Sequence, residues 1–369
     1  DILIGAERIL KCFEYLKKPV LSTYNSSNIS KFLHTENFET AAVLMSGDCG
    51  FFSGTARLLP EISDMDYEIV CGISSVVYFC SKIGISWQNM KFVSLHGMDS
   101  NIVRHAAENE KTFFLLGGKI TAAQACRRLC EYSMNSAEVY IGENLGYENE
   151  RILCGTAEDF TETETALLSV MTVVNSDCET LKRSGIPDRE FVRGNVPMTK
   201  SEVRSVIISK LGISNDSVCW DIGSGTGSVS VEMALQCGSG RVYAVDRNPE
   251  AVSLTDKNKH IFKCDNIEII GGNAMDNIEK LPVPDRVFIG GSGGELQQII
   301  KMVFKKNRKA VIVVTAVSLE TLNKSLEGFR ICGAETEIVQ VSITRTKSVG
   351  EYTMLCGENP VFIIKGTIL

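Results

Sequence analysis

The chain has 369 residues, of which 44% are hydrophobic, 22% charged and 7% aromatic. This globular composition excludes disordered, fibrous and collagen-like chains. The 38 Lys and Arg residues against 45 Asp and Glu give a net charge of −7, so the chain lacks the basic excess with which nucleic-acid binders neutralise phosphates. We therefore expect no nucleic-acid partner, and the length predicts two domains or one large one.

Cysteine usage and hydrophobic patterning indicate the compartment. The thirteen cysteines are odd in number and follow no disulfide framework spacing, so we expect reduced thiols. No histidine stands at metal-ligand spacing with a cysteine pair, and no metal site is expected. The start lacks a signal-peptide pattern, and no run reaches the roughly 18 apolar residues of a membrane span. The sequence predicts a cytoplasmic protein without membrane contact.

Short apolar runs rich in β-branched residues alternate with longer amphipathic stretches, which is typical of parallel α/β folds. The predicted strands are Ala41–Ser46, Phe113–Leu116, Val139–Gly142, Val218–Ile222, Val242–Asp246, Ile267–Ile270, Arg286–Ile289 and Ala310–Thr315. A polar stretch followed by Gly185-Ile-Pro-Asp-Arg separates two such patterns. We predict one domain over residues 1–178, a linker over 179–185 and a second domain over 186–369.

In the first half, Asp48 and two glycines directly follow the first predicted strand. Ligands of open α/β sheets bind beyond the carboxyl ends of strands, so Asp48 is a candidate binding residue. A turn in which Asp48 bonds its own backbone explains the pattern as well.

The most specific motif of the second half is a strand, a glycine turn and a predicted amphipathic helix. The strand Val218–Ile222 contains Asp221 and runs into Gly223-Ser-Gly-Thr-Gly227. Glycines let the main chain approach a ligand closely, and the following helix N-terminus offers free N–H groups to an anion. About twenty residues on, a second strand ends in Asp246, which can accept hydrogen bonds from two ribose hydroxyls. Together these features predict a nucleotide-type cofactor site.

Three interpretations of the glycine turn are open. A dinucleotide fingerprint has Gly or Ala where this chain has Ser228, which disfavours an NAD-dependent oxidoreductase. A turn that only packs strand against helix is disfavoured by the acid Asp246. Asp221 before the glycines resembles the class I methyltransferases, whose cofactor is S-adenosylmethionine. That resemblance implies a cofactor site built from Asp221, Gly223, Ser224, Gly225, Thr226 and Gly227.

Two later segments extend the predicted site. Asn273 and Ala274 follow the third strand, where class I methyltransferases contact adenine. The fourth strand runs into a second glycine-rich loop, which should face the ligand at the same sheet edge unless it is only a flexible turn. The loop residues expected at the substrate are Gly291, Ser292, Gly293 and Gly294.

Four motifs of the second half occur together in one family. They are Gly185-Ile-Pro-Asp-Arg-Glu-Phe, Pro197-Met-Thr-Lys200, the Asp221 glycine motif and Asp285-Arg-Val-Phe-Ile-Gly-Gly-Ser-Gly-Gly294. With them, residues 186–369 resemble the decarboxylating precorrin C15-methyltransferases of cobalamin biosynthesis. The resemblance implies that Thr199, the glycine loop, Asp246 and the Ala274 position bind S-adenosylmethionine. The family usually has Asp where this chain has Asn273.

Four motifs of the first half follow one another in an order that is typical of a second family. They are Cys71-Gly-Ile-Ser-Ser-Val-Val77, Val93-Ser-Leu-His-Gly97, the stretch 115–124 and the stretch 139–152. Their order is similar to that of the tetrapyrrole (class III) methyltransferases, and in particular of the precorrin C5-methyltransferases.

The second resemblance also implies functional residues. It places Asp48, Ser74 and Ser75 in or beside a second S-adenosylmethionine site. It makes His96 a candidate acid or base facing the tetrapyrrole, although a lone histidine is more often a packed residue. It further implies a first strand and a cofactor loop that would precede Asp1.

Both halves together resemble the fused C5,15-methyltransferases. We expect an α/β enzyme with an N-terminal tetrapyrrole-methylase (class III) domain lacking its first strand and a C-terminal Rossmann-like class I methyltransferase domain. The implied reaction is methylation of a precorrin or cobalt-precorrin at C5 and C15, with loss of the ring C acetate carboxyl. The alternative is a single active C-terminal domain, with the first half serving only for docking or dimerisation.

The implied substrate is a large polyanion, so the cleft should contain cations. Lys200, Arg193 and Arg345 are the candidates. The family resemblance also implies a homo-oligomer.

Overall fold

A computed structural model describes residues 1–95, 101–117, 120–178 and 184–368. Residues 179–183 of the predicted linker lie outside the described residues. The strands are β1 (Ile2–Gly5), β2 (Val20–Ser22), β3 (Ala41–Leu44), β4 (Lys91–Ser94), β5 (Lys111–Leu115), β6 (Glu138–Glu143), β7 (Arg151–Thr156), β8 (Ser169–Val174), β9 (Val218–Ile222), β10 (Arg241–Asp246), β11 (Ile267–Gly271), β12 (Arg286–Ile289), β13 (Val311–Ala316), β14 (Glu335–Val341), β15 (Thr344–Val349), β16 (Tyr352–Gly357) and β17 (Val361–Thr367).

The α-helices fall between these strands, as the alternating pattern predicts. They are α1 (Glu7–Lys11), α2 (Ser26–Thr35), α3 (Thr55–Glu61), α4 (Ser75–Ile83), α5 (Ile102–Glu108), α6 (Ala122–Glu131), α7 (Ser201–Leu211), α8 (Ser228–Gln236), α9 (Pro249–Ile261), α10 (Ala274–Ile278), α11 (Leu296–Lys306) and α12 (Leu319–Ile331). All eight predicted strands are present, with ends that differ by two residues at most.

The second half is built on a seven-stranded sheet with the order β11-β10-β9-β12-β13-β17-β14. The first five of these strands are parallel, whereas β17 runs antiparallel to both of its neighbours. Strand β9 lies between β10 and β12. The strands that follow β9 in the chain are added first on one side of it, as β10 and β11, and then on the other, as β12 and β13. The carboxyl ends of β9, β10 and β12 therefore form a crevice, which is where ligands of open α/β sheets bind.

Helix α8, which follows the glycine turn, is not amphipathic as predicted. Every residue from Ser228 to Leu235 is buried, because α7 and α9 cover the helix on both sides. Apolar residues pack on both faces of the sheet. One layer contains Ile207, Val231 and Phe288, and the other contains Trp220 and Ile299.

The first half contains two sheets. The smaller is parallel, with β1 between β2 and β3. The larger has the order β4-β5-β8-β6-β7, in which β4 and β5 are parallel and the other pairs antiparallel. The mixed sheet departs from the purely parallel expectation because β6 and β7 follow one another through a short connection rather than a helix.

Polar contacts join the two halves where α5 and α6 meet the end of α9. The buried Asn101 donates from Nδ2 to Oδ1 of Asn266 at 3.0 Å, and Arg104 donates to the carbonyl of Phe262 at 3.3 Å. Three further contacts are an Arg128–Asp265 ion pair, a Lys263 bond to the Tyr132 carbonyl and stacking of Tyr132 on His260. Hydrogen-bonded polar groups at a buried contact fix its geometry.

Asn266 connects this contact to the core of the second half. Its Nδ2 also donates to the carbonyls of Ala234 at 3.1 Å and Cys237 at 2.8 Å. We expect Asn266→Ala to lower the thermal midpoint by about 5–10 °C, since it leaves buried carbonyls and Asn101 without their partner. Differential scanning calorimetry of the full chain, with the exposed Asn323→Ala as control, checks this; equal midpoints for the two variants would contradict it.

Candidate functional site

A cleft of about 560 Å³ opens at the carboxyl ends of the parallel strands in the second half. Its inner part is formed by the ends of β9, β10, β11 and β12, which carry the predicted cofactor residues. The predicted residues that line it are Thr199, Gly223, Ser224, Gly225, Asp246, Asn273 and Ala274. The topology therefore brings together residues that are up to 75 positions apart in the sequence.

The two glycine-rich loops touch each other at the floor of the cleft. Gly223 has φ +76°, and a Cβ placed on it would lie 2.6 Å from the main chain of Gly291. Gly225 has φ +57°, and a Cβ there would lie 2.9 Å from the carbonyl of Pro197. Only glycine combines positive φ with so close an approach. Packing requires these glycines, and their lack of side chains leaves space on the cleft side. Their N–H groups are used within the fold, because Gly223 donates to the Val245 carbonyl at 2.8 Å and Gly225 donates to Asp246.

Asp246 lies at the end of β10, on the opposite side of the glycine loop from Gly291. Its Oδ2 accepts from the Gly225 N–H and its Oδ1 from the Asn248 N–H, both at 2.9 Å. Each carboxylate oxygen can accept a further hydrogen bond. Asp246 is thus held in a fixed orientation, half-buried, with acceptor capacity left for two hydroxyls of a ligand.

Asp221 lies beneath the glycine loop and does not line the cleft. It is fully buried, and its Oδ2 accepts from the Ser230 hydroxyl of α8. Its Oδ1 is buried without a hydrogen-bond partner among the described residues. Burial raises the pKa of this carboxyl to about 7, and the Ser230 bond only partly offsets that increase.

Side chains of helix α9 hydrogen-bond to main-chain carbonyls of the glycine loop. Asn258 donates from Nδ2 to the Thr226 carbonyl at 2.8 Å, and Thr255 donates to the Gly225 carbonyl at 3.4 Å. Thr226 is itself buried, and Gly227 is the N-cap of α8 with φ +73°. Thr226 and Gly227 therefore shape the loop rather than line the cleft.

The second glycine loop is partly at the cleft. Gly291, Ser292 and Gly293 line it, whereas Gly294 does not. Apolar side chains also line the cleft. Met198 and Phe288 belong to the motifs quoted above, whereas Val196, Val203, Ile343 and Val361 lie outside them, as do the polar lining residues Glu358 and Asn359.

The predicted substrate-binding cations are already in contact with carboxylates. Lys200 lines the cleft, and its Nζ lies 4.0 Å from Asp188. Arg193 is outside the cleft; it donates to the Asp188 main-chain carbonyl at 3.2 Å, and its Nη2 lies 4.0 Å from the Asp188 carboxylate. Arg345 bridges Glu202 at 2.5 Å and Glu358 at 2.7 Å.

Arg247 is a cleft cation that the sequence motifs did not indicate. A Cβ placed on Gly293 would lie 3.2 Å from its Nη1. Its position one residue after Asp246 is a signal that could have indicated it, because residues at that strand end face the crevice.

In the first half, the segments around Asp48 and Ser74 are brought together. A Cβ on Gly72 would lie 2.2 Å from the carbonyl of Gly47. Asp48 accepts from the Gly50 N–H at 2.7 Å, which is the turn interaction considered above. Ser74 is the N-cap of α4 and accepts from the Val77 N–H at 3.3 Å, and Ser75 begins that helix.

His96 lies outside the described residues. Within the described ranges, no group of three or more His, Cys, Asp or Glu side chains could hold a metal ion. Over the same ranges, none of the helices is both long and apolar enough to span a membrane.

Family comparisons match the two halves separately. The model of the precorrin methyltransferase domain matches residues 190–367, and the model of the tetrapyrrole (corrin/porphyrin) methylases matches residues 1–161.

Individual relatives cover the second half almost completely. A probable cobalt-precorrin-6B C(15)-methyltransferase (decarboxylating) of Pyrobaculum calidifontis is 45% identical over 183 residues, which are 49% of this chain and 94% of the relative. One of Sulfolobus acidocaldarius is 40% identical over 186 residues, 49% of this chain and 96% of the relative. The crystal structure of precorrin-6y C5,15-methyltransferase from Geobacter metallireducens is 41% identical with a TM-score of 0.48, covering 50% of this chain and 96% of that one.

The parallel sheet, the glycine turn and the acid after the second strand define a class I methyltransferase, as predicted. With relatives of at least 40% identity matched over nearly their whole length, the chain belongs to the precorrin methyltransferase family. The predicted α/β fold with an N-terminal tetrapyrrole-methylase half is confirmed as well.

Because the two glycine loops touch at Gly223, a substitution there tests whether the cleft binds S-adenosylmethionine. Gly223→Ala places a methyl group against the Gly291 main chain and should weaken binding of S-adenosylmethionine at least about tenfold, because the loops must separate. The control is Gly333→Ala, since Gly333 has φ +70° and nothing within 4 Å of a Cβ. Isothermal titration should show unchanged affinity for the control; wild-type affinity in Gly223→Ala would contradict the prediction.

The raised pKa of Asp221 predicts a pH-dependent stability. Between about pH 4 and pH 7 the folded state keeps a proton that the unfolded state loses, so the free energy of unfolding falls as the pH rises. A shift from 3.8 to about 7 corresponds to roughly 4 kcal/mol at most.

The Asp221→Asn variant has no ionisable proton at this position, so it lacks this pH dependence. Between pH 5 and pH 8 the free energy of unfolding of wild type should therefore fall relative to that of the variant. Denaturant titrations of the ligand-free protein measure it, with the exposed Asp216→Asn as control. A difference independent of pH would contradict the assignment.

Proposed function

We propose that this chain transfers methyl groups from S-adenosylmethionine to a precorrin, or to its cobalt complex, in cobalamin biosynthesis. The C-terminal half methylates C15 and releases the ring C acetate carboxyl as carbon dioxide. The N-terminal half methylates C5. The observation that carries the proposal is the cleft between the two glycine loops, in a half that matches the precorrin methyltransferase model over residues 190–367.

The residues of the cleft fit S-adenosylmethionine. Asp246 offers one acceptor position on each carboxylate oxygen to the two ribose hydroxyls. The absence of side chains at Gly223 and Gly225 lets the ligand's amino-acid end approach the loop closely. The buried Asp221 supplies negative potential beneath that end when ionised. Asn273 and Ala274 line the part of the cleft beside Asp246 and are proposed to contact adenine.

S-adenosylmethionine supplies an electrophilic methyl group on a sulfonium sulfur. The chain's contribution is to hold the nucleophilic carbon of the tetrapyrrole in line with that methyl group, which by itself lowers the barrier by several kcal/mol. The rigid contact between Gly223 and Gly291 fixes the distance between the cofactor side and the substrate side of the cleft. Precise placement is thus the main catalytic device.

The outer cleft suits a ring that is apolar at its centre and acidic at its rim. Ile343 and Val361 are apolar, partly exposed wall residues on which a flat macrocycle can pack. An acetate held against such walls loses hydration as a carboxylate, which favours its departure as neutral carbon dioxide. The C–C bond to the carboxyl breaks, the electron pair stays on the methylene carbon, and a proton from solvent completes the methyl group that remains. Lys200 and Arg247 lie at the cleft and are proposed to bind peripheral carboxylates.

Other substrate contacts are proposed for the remaining predicted residues. Gly291, Ser292, Gly293 and Gly294 face or flank the substrate, and Arg193 and His96 are candidates for its carboxylates and proton transfer. In the first half, Asp48, Ser74 and Ser75 are proposed to form the second cofactor site.

Catalysis by the first half is favoured over a mere docking role, since the tetrapyrrole methylase model matches it over residues 1–161. We propose one domain over residues 1–178 and a second over residues 186–369, joined by a linker over 179–185. In the described part of the chain, all strand pairing stays within one half.

We further propose that the protein is a cytoplasmic homo-oligomer that binds neither nucleic acid nor membranes. Gel filtration with light scattering would test the oligomer, and vesicle sedimentation would test membrane binding.

Mass spectrometry of the product tests the function. The full chain is incubated with S-adenosylmethionine and a precorrin-6B-type substrate, with and without cobalt. We expect a gain of two methyl groups and a loss of carbon dioxide.

Two variants assign the steps to the halves. Gly223→Ala should lose the C15 methyl group together with decarboxylation, whereas Asp48→Ala should lose only the C5 methyl group. If wild type adds one methyl group and releases carbon dioxide, only the C-terminal activity stands. An unchanged mass would overturn the proposal.

A further inference from the structure

A buried arginine lies outside the cleft but contacts one of its walls. Arg204 is on α7 and is fully buried. Its Nε donates to Oε1 of Glu232 at 2.7 Å, and Glu232 of α8 is fully buried too. Removing two charges from water costs free energy, so such a pair is a weak stabilising device by itself. Its other hydrogen bonds indicate what it does.

The guanidinium contacts the segment that precedes α7 at four places. Nη1 donates to the Thr199 carbonyl at 2.7 Å and lies 3.4 Å from Asp188. Nη2 donates to the Ile186 carbonyl. The Phe191 ring covers the guanidinium at 4.7 Å. One side chain therefore determines the path of residues 186–199.

Glu232 binds the same segment from the other side. Its carboxylate accepts from the Ile186 N–H at 3.0 Å and from the Gly185 N–H at 3.2 Å. Helix α8 begins directly after Gly227, the last residue of the glycine loop. The ion pair thus links residues 185–199 to the helix that directly follows the glycine loop.

The far end of that segment is a wall of the cleft. Pro197 and Thr199 line it, and the Pro197 carbonyl lies against Gly225. A shift of the segment would change the width of the cleft at the glycine loop. Arg204 itself lines no part of the cleft, so its influence on a ligand must pass through Thr199 and Pro197.

We propose that Arg204 is a positioning residue for the methyl donor. It holds the 196–200 wall at the distance from the glycine loop that S-adenosylmethionine requires, and it contacts no reacting atom. The assignment rests on the proposed function. A guanidinium is needed because its acceptors lie in three directions, which the single point charge of lysine cannot serve together.

Two variants test the proposal in the full chain. Arg204→Lys keeps the charge but cannot bond Glu232, Thr199 and Ile186 at once. Glu232→Gln keeps one oxygen acceptor for the Ile186 N–H and for Arg204, removes the charge, and replaces the oxygen that accepts from the Gly185 N–H by an NH2 group. We expect the Kd for S-adenosylmethionine to rise about tenfold in each, since bonds from a charged donor are lost, while kcat at saturating donor stays within about twofold.

Hydrogen exchange adds a local readout. Amides of residues 185–199 should exchange faster in both variants, while those at the α7 C-terminus keep wild-type rates. The matched control is Arg286→Lys, because Arg286 donates to the Gly212 carbonyl at 2.9 Å at the opposite end of α7. It should change neither the Kd nor the exchange of residues 185–199.

The outcomes separate this inference from the proposed function. If wild type does not bind S-adenosylmethionine, the proposed function fails. If wild type binds and either variant folds with unchanged Kd, or if Arg286→Lys raises the Kd equally, the positioning role of Arg204 is overturned. Circular dichroism establishes folding for each variant, and Glu232→Gln, the isosteric change, decides the matter should Arg204→Lys fail to fold.

Discussion

The site depends on one close approach of two main chains, Gly223 against Gly291. Strands β9 and β12 are neighbours in the sheet, so the loops that leave them must pass each other within van der Waals distance. Side chains at these positions would push the loops apart and fill part of the cleft. The glycines that the site needs for ligand access are thus the same glycines that the sheet needs for packing.

Much of this arrangement could be predicted from the sequence, because its signals are local. The run of β-branched residues in Val218–Ile222, the glycines after it and the acid Asp246 occur at spacings that parallel α/β units impose. The predicted ends of β9 and β12 agree with the structure for the same reason, since each strand is buried on both faces and ends at a glycine.

Other parts depend on long-range contacts and could not be predicted. The burial of α8 follows from coverage by α7 and α9, which its own residues do not reveal. The sequence made Arg345 a candidate for binding substrate carboxylates, but the fold pairs it with Glu202 and Glu358. The walls at Ile343 and Val361 come from antiparallel segments that carry no motif.

The central claim is that the cleft between the two glycine loops holds the methyl donor. A crystal structure of the full chain with S-adenosylhomocysteine, the demethylated product, tests it most directly. The account predicts the ribose hydroxyls on the Asp246 carboxylate, the amino-acid end on the main chain of Gly223 and Gly225, and the sulfur facing Gly291. Ligand bound elsewhere on the C-terminal half, or an empty cleft at saturating ligand, would contradict it.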